Sequence, residues 1–159
     1  MTAEGEARRP GGFAAATGDG PPSPTSPEVR AAEVRVAFGG LLQIRRLTNT
    51  TVPDPAAVPA AWELNQPVRA VALALEAAGL APSAVDGEER RTATGFRVAA
   101  GTRPGTVRVE WLGPPGGGAA QDEEHQLTLC AAALTPLGWE ALLYRGPRRR
   151  RFLEVEPAL

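Results

Sequence analysis

The chain has 159 residues and a mass of 16.6 kDa, room for one compact domain and a tail, and its 17 basic and 18 acidic residues leave a formal charge of -1. That balance excludes a global basic field that would draw the protein onto DNA or a membrane surface, so nucleic-acid binding would have to rest on local patches. Every basic residue is Arg, as a GC-rich coding sequence would give, which weakens any inference from Arg to the phosphate recognition that its planar fork suits. The single cysteine, Cys130, cannot form an internal disulfide, and no CxxC pair is present for zinc or redox work. Met1 to Pro10 lacks the apolar core of a secretory signal, and Val71–Ala81 is shorter than the roughly 18 residues of a membrane helix and carries Glu76. A soluble, cytoplasmic chain with no membrane partner is expected.

Residues 1–32 alternate Pro, Gly and small polar residues, with Phe13 and Val29 the only large apolar side chains after the initiator, and read as a disordered tail. In 33–47, Val34, Val36 and Phe38 alternate, Gly39-Gly40 follows, and a second apolar run begins at Leu41. This predicts a hairpin with a type I′ turn. A Pro-rich coil then leads to Asn65, a potential cap, and Pro67 opens a helix that ends near Ala78, before Gly79. Val68, Val71, Leu75 and Ala78 form its core stripe. Phe96 and Val98, then Val107, Val109 and Trp111, alternate with charged residues on both sides of G-T-R-P-G, so 67–112 reads as a first helix-hairpin unit.

Residues 113–120 read as a flexible linker. Residues 121–157 repeat the pattern: an acidic helix start, a stripe of Leu127, Cys130, Ala131 and Leu134, a stop before Pro136, and a hairpin turning at Gly146-Pro147. Ala74–Leu80 resembles Ala133–Trp139 in its Ala-Leu start and its Gly followed by a large apolar residue, and the turns Gly101–Val107 and Gly146–Phe152 match in role. Together these suggest two helix-strand-strand repeats. The expected fold is α+β, a single domain over 33–157 in which a small antiparallel sheet built from hairpins carries two helices on one face.

Catalytic chemistry is poorly supplied. The only histidine, His125, sits among Glu123 and Glu124 as a solvated first-turn residue, and Cys130 lies on the apolar stripe as a core thiol; nothing in the sequence orients them as a dyad. One His and one Cys cannot close a zinc site, and G-P-P-G-G-G lacks the G-x-x-x-x-G-K-S/T spacing and a strand leading into a helix, so no cofactor and no metal are expected. Binding remains. The sequence is best read as a non-enzymatic binding or adaptor protein whose partner is an unidentified protein or a second copy, joined through an unpaired strand. The alternative is a nucleic-acid accessory protein, with the arginine-bearing turns at one end of the sheet. The candidate contacts are Arg103, Arg148, Arg149, Arg150, Arg151 and Tyr144, the last a stacking residue among aromatics otherwise assigned to the core. Arg45 and Arg46 would flank the first turn. A Cys130–His125 enzyme is a third, weaker reading.

Overall fold

The computed structural model describes residues 13–159. In chain order it contains α1 (Pro27–Thr48), α2 (Ala61–Asn65), α3 (Pro67–Ala77), β1 (Ala84–Val85), β2 (Arg91–Ala93), β3 (Gly95–Ala100), β4 (Val107–Leu112), α4 (Ala119–Leu134), β5 (Trp139–Arg145) and β6 (Arg151–Pro157). β3 to β6 form one antiparallel sheet in the order β3-β4-β6-β5, and β1-β2 form a separate two-stranded ribbon. The α+β class and the two helices on one sheet face are as the sequence implies.

Alternation produces the strands. β4 buries Val107, Val109 and Trp111 and turns Arg108 and Glu110 the other way, while β6 buries Leu153 and Val155. α3 and α4 cover this face with Val71, Leu75, Leu127, Cys130 and Leu134, enclosing the buried Phe96 and Trp139. The opposite face is salted: Arg97 bonds Glu110 at 2.9 Å, Arg103 approaches Glu154 and Glu156 at 3.6 and 3.2 Å, and the Arg108 guanidinium lies 3.8 Å over the Phe152 ring. α3 is buried over six consecutive residues, Ala70 to Leu75, because it has a second neighbour, with Leu73 meeting Val34 and Leu41 of α1.

The hairpin expected at 33–47 is instead the middle and end of α1. Ser26 accepts from the Val29 N–H at 3.2 Å as an N-cap, Pro27 and Glu28 occupy the first turn, and Arg45 and Arg46 the last, a complete set of helix signals. The alternation of Val34, Val36 and Phe38 has no structural consequence, since Val34 is buried and Val36 is 77% exposed. What packs is Val34, Phe38 and Leu41, at helical spacing. Gly39 and Gly40 each cost about 1 kcal/mol relative to Ala within the helix, a penalty offset by burial against α3.

The tail assignment also needs correcting. Its first part, 1–12, lies outside the described residues, but from Phe13 onward the chain packs: Phe13 joins the α1–α3 cluster beneath the Arg30 guanidinium, 4.7 Å from its ring centroid, and Arg30 bonds Glu76 of α3 through two contacts of 2.9 and 2.8 Å. Neither Asn65 nor Gln66 caps α3 with its side chain; Asn65 closes α2. The 113–120 linker is shorter than expected, since α4 starts at Ala119.

The register relates the β3–β4 and β5–β6 strand pairs by an approximate two-fold rotation. β4 and β6 pair antiparallel with Val107 opposite Val155 and Val109 opposite Leu153, so Arg108 and Glu154 lie on the axis. The rotation carries Trp111 onto Pro157, and hence their partners Phe96 onto Trp139, Val98 onto Ala141 and Ala100 onto Leu143. The glycine that corresponds to Gly138 is therefore Gly95, not Gly79, because β1 and β2 are inserted between α3 and β3.

Candidate functional site

The arginine turns do not converge. β4 and β6 run antiparallel, so Arg103, in the turn before Val107, lies near the end of β6, whereas Arg150, at the start of β6, donates to the Trp111 carbonyl at 3.1 Å near the end of β4. The two turns stand at opposite ends of the sheet. Arg45 is no turn residue at all; it is 1% exposed on α1, where it grips Glu63 through two bonds of 2.7 Å and donates to the carbonyls of Ala56 and Leu137 at 2.8 Å.

The four-arginine run divides into two halves. Glu123 is 2% exposed, accepting from the Arg150 Nε at 2.8 Å and the Arg151 backbone N–H at 2.9 Å, while the Arg151 side chain approaches Glu124 at 3.6 Å. Arg148 and Arg149 are exposed, have φ of 60° and 65°, and make no ion pair among the described residues. Half the run therefore anchors the turn to α4, and half stands free beside Arg145. Glu123 lies at the acidic helix start, where a solvated charge is the ordinary expectation, yet it is four residues before Leu127 and seven before Cys130, and this phase places it on the buried stripe.

The two outer edges of the sheet differ. On β3, the Phe96 N–H donates to Ala81 O at 2.9 Å, the Phe96 carbonyl accepts from Ser83 N–H at 2.9 Å, and the Val98 N–H donates to Thr17 O at 2.8 Å. The 17–20 segment is pinned there by Asp19, which bonds Arg91 at 2.7 Å and Arg97 at 3.0 and 2.8 Å, and by Arg91 donating to the Gly18 carbonyl. Burial alone would raise the Asp19 carboxyl, but the two guanidinium groups overcome this and hold it below its usual range. Gly18, at φ 97°, fits because a Cβ would collide with the Phe96 carbonyl.

On β5 the equivalent groups have no such cover. The bonds from Ala158 N–H to Gly138 O and from Gly146 N–H to Arg150 O fix the ladder phase, so Ala141, Leu143 and Arg145 turn their N–H and C=O groups away from β6. No main-chain partner among the described residues takes them up. Leu142, Leu143 and Tyr144 are 46, 42 and 43% exposed, with Tyr144 stacked on Phe152 at a centroid distance of 5.7 Å. The pairing with β6 is unbroken from Trp139 to Arg145, so no bulge twists this edge away. Exposed Val29, Val36 and Leu47 on α1 offer side chains only, because the helix satisfies its own main chain.

Two other features are less apt for chemistry. Contrary to expectation, the Gly113–Gly118 loop does connect a strand, β4, to a helix, α4, and with Arg91 and Arg150 it lines an open cleft of about 820 Å3. Both arginines are committed to Asp19 and Glu123, however, and the loop brings no Lys, Ser or Thr. The Cys130–His125 dyad is not assembled: Cys130 is fully buried, burial pushes its thiol up to about 12, and His125 lies on the exposed side of α4. Among the described residues no cluster of three or more His, Cys, Asp or Glu could hold a metal ion, and no helix is long and apolar enough to cross a membrane. No family model, curated protein or solved structure matches the chain, so the functional reading rests on this geometry.

Proposed function

We propose that the chain is a non-enzymatic protein-binding module that takes an extended segment of a partner onto the edge of β5. The observation that carries this reading is the outward main chain at Ala141, Leu143 and Arg145, without a partner among the described residues and flanked by exposed Leu142 and Tyr144. Strand addition draws affinity from main-chain bonds and specificity from alternate side chains, and β5 offers both. Nucleic-acid binding is the weaker reading: with the arginine turns apart, one end retains Arg145, Arg148 and Arg149 without an ion pair among the described residues, enough to neutralise only about three phosphates.

The test is a library of extended heptapeptides screened against the full chain. Binders are expected to slow amide exchange at Ala141, Leu143 and Arg145 and to lose affinity for Leu143→Pro. That substitution removes an outward N–H and leaves the β5–β6 ladder its donors. Binders indifferent to Leu143→Pro, or a library with no binders to a chain that is itself monomeric, would defeat the reading.

A further inference from the structure

Resting on that reading, we infer that the segment β5 accepts is β5 of a second copy, paired antiparallel about a two-fold axis through Leu143, so that two four-stranded sheets become one continuous sheet. Outward-facing residues must pair with outward-facing residues, which restricts the possible registers. Centring on Leu143 sets Leu143 against its own counterpart and Ala141 against Arg145 of the other copy, three pairs exchanging two bonds each, about six in all. Centring on Tyr144 would bring Pro147, which has no N–H, against Ala141.

The side chains suit the same register. On the open face Leu142 meets Tyr144 of the other copy, twice by symmetry, and on the helix-bearing face the two Leu143 side chains meet, so the three exposed apolar residues of the edge are covered together. Charge is complementary as well. Glu140 at one end of the strand and Arg145, Arg148 and Arg149 at the other are exposed without ion pairs among the described residues, and antiparallel self-pairing brings the acidic end of each copy against the basic end of the other. The two arginines of the turn that Glu123 does not engage thereby gain a counter-charge.

Sedimentation equilibrium of the full chain tests this. The wild type is expected to pass from monomer to dimer mass with concentration, and Leu143→Pro, which removes one N–H per copy, to raise the dissociation constant about 30-fold. A second pair of variants guards against misfolding: Glu140→Arg and the double variant Arg145→Glu/Arg148→Glu should each associate less well alone and recover dimer mass when mixed. Monomer mass at every concentration, a dimer unaffected by Leu143→Pro, or no recovery on mixing would overturn the second-copy inference. If the wild type is monomeric while library peptides still protect Leu143, only the identity of the occupant fails; if no peptide binds either, strand addition itself fails.

Discussion

The two edges of the sheet occupy equivalent places, yet among the described residues β3 is covered over its first half and β5 is bare. On β3 the Phe96 N–H and C=O and the Val98 N–H are taken by Ala81, Ser83 and Thr17, while Ala100 is as bare as Leu143, its counterpart under the two-fold rotation; on β5 Ala141, the counterpart of Val98, is bare as well among the described residues. Proteins ordinarily blunt an edge with a bulge, a proline, inward-pointing charge or a covering segment. The 13–20 segment and the loop before β1 supply that cover for one half, and among the described residues nothing comparable covers β5 in the other. The edge carries Leu142, Leu143 and Tyr144 and is held by a braced turn, and the proposed strand addition would use it as its docking surface.

Removing what supports β5 should produce the largest effect. Arg45 links Glu63 to the Leu137 carbonyl at the root of β5, and Glu63→Ala would leave that guanidinium buried and unpaired, at a cost of about 3–5 kcal/mol measurable by chemical denaturation. Arg45→Met combined with Glu63→Leu should recover most of it. Next comes the tip. Glu123→Gln weakens the acceptor of the Arg150 side chain and the Arg151 N–H, and should cost about 1–3 kcal/mol and fray Tyr144 and Gly146 in amide exchange, with β3 unaffected.

Much of this architecture was legible in the sequence. The β3–β4 and β5–β6 hairpins and α3 could be read because each is half-buried or core-facing, and burial imposes a period. α1 is hidden in the sequence because V-R-V-A-F alternates by coincidence and Gly39-Gly40 mimics a turn, while its Ser26-Pro27-Glu28 start is embedded in a Pro-rich stretch that resembles a tail. The cover on β3 could not be read at all, since it depends on Asp19 meeting Arg91 and Arg97 more than 70 residues away. For the candidate contacts, the sequence located the turn but not the division of labour within it, which depends on Glu123.

Smaller effects sharpen the contrast between the edges. Asp19→Asn should cost only about 1 kcal/mol, because the carboxylate is partly exposed and screened by solvent, but should release Val98 from Thr17 and make the β3 edge resemble β5. Acid should act in the same way. Because the folded carboxyl is held below its unfolded value of about 3.9, its stabilisation is present above that pH and is lost as pH falls through the folded value, which the Val98 amide shift would report. The smallest effect is a null: Cys130, with its thiol raised to about 12, should resist alkylation at neutral pH, so a cysteine placed at Leu143 could be labelled selectively.

The most direct measurement is residue-resolved amide exchange of Val98 and Leu143 in the same samples at rising chain concentration. Val98 should be protected throughout, and Leu143 should pass from free to protected as copies associate. A Leu143 amide already as protected as Val98 at the lowest concentration, or still free at the highest, would contradict the account.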